Sequence, residues 1–153
     1  MITSDCFDDK NIKNKQMKTI YLFLVIFIST TFTGSAQENS LLKECSQFLQ
    51  SPFVSDGQEY KAQLESGESA EFHTTFYSGN HYRIAGVSNQ DDSQLIFTIY
   101  DQENRLLFTN KRYGSTPYWD FEFESTLNCT IKAQYISKKK KPASILLLIG
   151  FKQ

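Results

Sequence analysis

The chain has two histidines, three cysteines and three prolines in 153 residues, and its net charge is only −1. Few histidines leave little room for nucleophilic catalysis, because a Ser or Cys nucleophile usually needs a histidine base in reach. No Gly-Xaa-Ser-Xaa-Gly elbow, phosphate loop, His-Glu-Xaa-Xaa-His or Cys-Xaa-Xaa-Cys occurs, so the usual hydrolase, nucleotide and zinc signatures are missing. The near-neutral balance carries no nucleic-acid footprint. No internal repeat or low-complexity stretch is present, and only one segment beyond residue 37 has helical periodicity.

What is present begins with an address. Met17-Lys18-Thr19 is followed by an apolar run, Ile20 to Ile28, and then by Ser29 to Ala36, which closes on Gly34-Ser35-Ala36. A positive start, a short apolar centre and small residues at the last and third-last positions are what a signal peptidase reads. A membrane anchor would need roughly 20 apolar residues, and this run meets Ser29-Thr30-Thr31 too soon. Residues 1–16 are polar, so Met17 is a plausible start and the longer form only extends the n-region. Gln37, not Cys, stands directly after Ala36, which argues against lipid anchoring there. The expectation is residues 1–36 as extension and cleaved signal peptide, residues 37–153 as one domain, and a periplasmic or secreted location.

Cleavage removes Cys6 and leaves Cys45 and Cys129. Leu41, Leu42, Cys45, Phe48 and Leu49 recur at helical spacing, with Asn39 or Ser40 as caps and Pro52 beyond the end, so a helix over about 40–50 turns Cys45 inward. In Leu127 to Tyr135 the odd positions are mostly apolar, so Cys129 also points inward from a strand. Two inward thiols in an oxidising compartment predict a Cys45–Cys129 disulfide. Closing so long a loop would contribute on the order of 4 kcal/mol. Two independent buried thiols are the alternative.

From Gln58 onward the chain has the period of strands. Thirteen Phe and eight Tyr suit a half-buried pleated surface. Glu65-Ser66-Gly67-Glu68 and Ser78-Gly79-Asn80 read as hairpin turns, Ser88 to Ser93, Asp101 to Asn104 and Lys111 to Pro117 as loops, and Lys138 to Pro142 as a last turn. Eight strands result, near 59–64, 69–77, 81–87, 95–100, 105–110, 119–124, 127–135 and 143–151. Trp119, Phe121 and Phe123 alternate with Asp120, Glu122 and Glu124, which makes one face buried and one wet. The continuous apolar centre of 143–151 suggests the middle of a sheet. The fold class is therefore all-β: an eight-stranded antiparallel β-sandwich or jelly roll, with one N-terminal α-helix covering an end or edge. A ligand-filled barrel competes.

Few residues could carry chemistry. His73 and His81 read as strand-surface histidines, and a dyad of either with Cys45 requires the disulfide to be absent. Asp120, Glu122 and Glu124, or Asp91 and Asp92, could supply oxygens to Ca²⁺, but a solvated face and a polar loop explain them as well. Lys138 to Lys141 reads as a soluble turn ahead of an anionic-surface site. Asn128-Cys129-Thr130 matches a glycosylation pattern within a predicted strand. Tyr113, Tyr118 and Trp119 surround the Gly114-Ser115-Thr116-Pro117 loop, where aromatics would stack on a glycan or peptide. With Trp119 assigned to the core, Tyr113 and Tyr118 are the candidate ligand-binding pair. No catalytic residue, metal or cofactor is assigned.

Leu64-Glu65-Ser66-Gly67-Glu68, Tyr82-Arg83-Ile84 and Leu95-Ile96-Phe97-Thr98-Ile99-Tyr100-Asp101 together resemble the bacterial pre-peptidase C-terminal domain over about 59–135. Gln94 stands where that family commonly has Asp, the Gly-Thr-Tyr-like start of its last strand is missing, and no peptidase is attached. The resemblance implies a jelly-roll-like sandwich with a binding or accessory role, and it transfers no site residues. The sequence thus reads as an exported, non-catalytic module that binds a protein or glycan at the cell envelope. The alternatives are a small cysteine- or histidine-dependent hydrolase and a lipid-carrying barrel.

Overall fold

Turns divide the chain after Pro52 into eight strands: β1 Phe53–Leu64, β2 Ser69–Phe76, β3 His81–Ser88, β4 Ser93–Tyr100, β5 Leu106–Thr109, β6 Tyr118–Glu122, β7 Leu127–Ser137 and β8 Ala143–Lys152. They follow one helix, α1 (Ser35–Ser46), in a computed structural model that describes residues 35–91 and 93–153. The β1–β2 and β2–β3 turns are tight because Gly67 and Gly79 take φ of 98° and 76°, which side chains with a Cβ rarely adopt. The predicted signal segment before Ser35, Cys6 and Asp92 lie outside the described residues.

The strands form two four-stranded antiparallel sheets, β1-β8-β3-β6 (sheet A) and β2-β7-β4-β5 (sheet B). The nested pairs β1·β8, β2·β7, β3·β6 and β4·β5 are the wrapping of a jelly roll. The sheets remain separate and the space between them is filled, so the barrel alternative does not hold. Phe76, Ile84, Phe97, Ile131, Tyr135 and Leu147 are fully enclosed there. Each such large apolar side chain contributes about 1.5–3 kcal/mol by leaving water.

Strand β8 explains its own composition. It lies inside sheet A, and both of its faces are covered: Ile145, Leu147 and Ile149 face sheet B, whereas Leu146 and Leu148 face the helix. An antiparallel strand buried on both sides loses the alternation that a half-wet strand keeps. The second layer also corrects the expected position of the helix. Leu41 and Cys45 of α1 pack on Ala85, Val87, Leu146 and Leu148, so the helix covers the outer face of sheet A instead of an end or edge. It starts at Ser35, so Asn39 and Ser40 lie within it and do not cap it. Its apolar spacing runs past Ser46 into a turn, where Phe48 N–H donates to Cys45 O (3.1 Å) and Leu49 N–H to Ser46 O (3.0 Å).

The predicted disulfide is overturned by the same layering. Both thiols are buried and unbonded to each other. Cys45 lies between α1 and sheet A, while Cys129 of β7 lies between the sheets. The sequence pattern correctly turns both inward, but a sandwich with a helical cover has two interiors, and sheet A separates them.

Candidate binding surface at the β5–β6 seam

Strands β5 and β6 are the free edges of opposite sheets, and aromatic rings close the gap between them. The Phe108 ring of β5 meets Trp119 and Phe121 of β6 with centroids 5.1 and 4.9 Å apart. The connection begins with a 3₁₀ turn, Asn110–Tyr113, ended by Gly114 in the left-handed region. One buried side chain fixes this connection to sheet B. Asn110 is fully enclosed; its Oδ1 accepts from Phe97 N–H (3.0 Å), and its Nδ2 donates to Leu95 O (3.0 Å) and Thr116 O (2.9 Å). Its main-chain oxygen accepts from Ser115 N–H at 3.0 Å. A buried amide with its bonding capacity so used rigidifies what it touches.

Tyr113 stands on this fixed loop. It is 53% exposed, yet its ring packs on Trp119 (centroids 4.3 Å apart) and is nearly parallel to Phe108 (5.7 Å, 8°). Leu106 and Leu107 of β5 add two exposed aliphatic side chains, 45% and 44% accessible. The seam is thus an apolar surface with an aromatic foundation and a pre-set backbone.

The structure does not bring Tyr118 to Tyr113. Tyr118 precedes Trp119 on the strand and so faces the other side, over sheet A's outer surface, where it pairs with Phe48 at 5.5 Å. The Arg83 guanidinium lies between the Tyr118 and Phe53 rings, 4.6 and 4.2 Å from their centroids. Its Nε and Nη2 donate to Asp120 at 2.6 and 2.7 Å, and its Nη1 donates to Phe48 O at 3.0 Å. These bonds to Asp120 raise the Arg83 pKa further above its ordinary value. Tyr118 therefore belongs to a clamp that holds the segment after α1 on sheet A. Beside it, a groove of about 450 Å³ runs between Glu44 and Phe48 on one side and Ser88, Asp91, Ser115 and Pro117 on the other.

The remaining candidates are dispersed. Cys45 is enclosed, its thiol donates to Ala85 O (3.5 Å), and burial pushes its pKa up to about 12. Burial, with a smaller contribution from the Asp101 charge, pushes Cys129 to about 11. A nucleophile needs the opposite shift. His73 Nδ1 lies 3.0 Å from Thr130 Oγ1 on the outer face of sheet B, and His81 lies 3.7 Å from Glu122, so neither ring is placed against a thiol. Of the supposed carboxylate face, Asp120 is held by Arg83, Glu122 faces His81, and Glu124 lies past β6. Asn128 is exposed on β7, and its Oδ1 accepts from Thr75 Oγ1 at 2.6 Å. Lysines 138–141 form the β7–β8 turn. Among the described residues no group of three or more His, Cys, Asp or Glu could hold a metal ion, and no helix is long and apolar enough to cross a membrane.

Sequence reasoning missed Asn110, Leu106 and Leu107. Two adjacent leucines that break strand alternation are the one signal that could have exposed the β5 edge; nothing around Asn110 marks it as buried.

No protein-family model matches the chain, and no curated protein matches it. Among solved structures, the crystal structure of Aeromonas hydrophila PliG, a periplasmic lysozyme inhibitor of g-type lysozyme, is similar with a TM-score of 0.48 and 8% identity. The alignment covers 62% of this chain and 85% of that one.

Proposed function

We propose that this chain is an exported, non-catalytic binding module that captures a protein partner through the β5–β6 seam, with Tyr113 as the central contact. One observation carries the reading: a tyrosine more than half exposed is immobilised by ring packing on a loop locked by a buried asparagine. Pre-ordered aromatic anchors lose little entropy on association, and they dominate protein interfaces. Leu106 and Leu107 favour a protein over a sugar, since aliphatic side chains offer neither a stacking plane nor hydrogen bonds. The signal-like segment supports export, and the resemblance to pre-peptidase C-terminal domains agrees with an accessory role.

The test is site-specific photo-crosslinking in the exporting cell. A benzoylphenylalanine at position 113 or 107 should yield one discrete adduct with a protein, and the same residue at Tyr77, 60% exposed outside the seam, should not. Tyr113→Ala should weaken binding of the trapped protein by at least about tenfold, a loss typical of an anchor residue. The lost ring contacts with Trp119 and Phe108, about 0.5–1.5 kcal/mol each, should lower the melting temperature but leave the protein folded. Equal adducts at positions 77 and 113, or none, would sink the reading.

A further inference from the structure

Sheet B has a second surface that the seam does not use. Among the described residues its outer side carries no helix, and a hollow of about 500 Å³ opens there between β2, β7 and the turn after β4. His73, Thr75, Gln102, Asn128 and Thr130 line it with side chains, while Thr74 and Cys129, whose strand positions face the core, contribute main chain. No carboxylate, lysine or arginine is among these residues. The lining is pre-arranged by two bonds across the β2–β7 ladder, His73 Nδ1 to Thr130 Oγ1 (3.0 Å) and Thr75 Oγ1 to Asn128 Oδ1 (2.6 Å). Among the described residues, these bonds leave the Asn128 Nδ2 amide, the second His73 ring nitrogen and the Gln102 amide without a hydrogen-bond partner. Tyr100 lies on the same face, directly across from Thr130 in the β4–β7 register.

From this we infer a binding site for a neutral saccharide. The hollow offers donors and acceptors in alternation without net charge, which is the complement of a ring of hydroxyl groups. The charged pair on this face, Lys132 with Glu71 (3.3 Å), is the next same-face pair beyond His73 and Thr130 and is self-neutralised. An anionic ligand would have to displace Glu71 to gain a cation, and an apolar one would leave these amides and hydroxyls without partners, at a cost in both cases. The hollow is open toward solvent, so a chain of sugars would lie along the sheet surface with Tyr100 as a flanking aromatic. The lining of this site lies on β2, β7 and the β4–β5 turn, away from Tyr113, and it adjoins the seam only where Tyr100 pairs with Leu106.

The experiment is an amide-shift NMR titration of the intact protein with maltohexaose, cellohexaose and chitohexaose, and with hexagalacturonate as the acidic control. At least one neutral hexasaccharide should shift the amides of His73, Thr75, Asn128 and Thr130. Replacing both exposed amides, Asn128→Ala with Gln102→Ala, should weaken that binding about tenfold or more, while Tyr113→Ala leaves it unchanged. An unchanged amide spectrum away from the hollow shows that the double variant is folded. The inference is overturned if no neutral hexasaccharide shifts these residues, if hexagalacturonate binds as well, if the double variant binds normally, or if the shifts map to the seam.

Discussion

The two sheets are held in shape by opposite means. Sheet A has an apolar cover: α1 seals Ala85, Val87, Leu146 and Leu148 from water, and the Arg83 clamp pins the segment that follows. Sheet B has no helix on its outer side among the described residues, and its four-residue edge strand β5 is fixed at both ends by buried polar residues. At the start, Asp101 Oδ1 accepts from Glu103 N–H (3.0 Å) and Arg105 N–H (2.8 Å), and its Oδ2 pairs with Arg105 Nε. At the far end stands Asn110. Apolar cover stabilises a face but makes it unavailable to partners, whereas point anchors leave the surface open. Both proposed binding surfaces accordingly involve sheet B.

The sharpest way to break this comparison is to strike the cover. Leu146→Ala should destabilise the fold by about 2–5 kcal/mol in urea denaturation, because it removes a fully enclosed side chain and leaves a cavity beneath the helix. Thr98→Ala, on the outer side of sheet B, removes one cross-strand bond, Thr98 Oγ1 to Thr109 Oγ1 (3.1 Å), and should cost no more than about 0.5–1.5 kcal/mol. Comparable losses at the two positions would mean that sheet B's outer face is covered too.

The second blow falls on a polar anchor. Asn110→Ala leaves Phe97 N–H, Leu95 O and Thr116 O without their side-chain partner, and should cost about 1–3 kcal/mol. It should also speed amide exchange selectively in residues 110–117, since the 3₁₀ turn loses its attachment to β4. A uniform loss of protection across both sheets would show that Asn110 acts through the core instead of the seam.

How far the sequence could reveal this follows from the range of each interaction. Strand periodicity and turn residues are local, so all eight strands were legible, most of them within a few residues of their ends. The inward direction of Cys45 and Cys129 was legible for the same reason. Which interior each thiol enters depends on how the layers stack, and periodicity along one element does not encode that. The pairing of Arg83 with Asp120 depends on β3–β6 register, and the bonding of Asn110 on its placement against the main chain of β4 at Leu95 and Phe97. Tyr113 and Tyr118 looked like one site because they flank one loop. Trp119 alone shows the error, since it packs on Tyr113 from the side of β6 opposite to Tyr118.

The smallest effect belongs to the other polar anchor and depends on pH. Burial pushes the Asp101 carboxyl upward, but the Arg105 N–H, the Arg105 guanidinium and the Glu103 N–H outweigh it and hold its pKa below the ordinary carboxylate value. A carboxylate whose pKa is lowered on folding stabilises the native state above its unfolded pKa, and that contribution disappears as pH falls through the folded pKa. Asp101→Asn should therefore be less stable than the parent at neutral pH, and the gap should close on acidification below the ordinary carboxylate range. The amide can still accept at Oδ1 but cannot pair ionically with Arg105, so the gap isolates the ionic part of the anchor. A gap independent of pH between neutral and strongly acid solution would mean that geometry, and not charge, holds the start of β5.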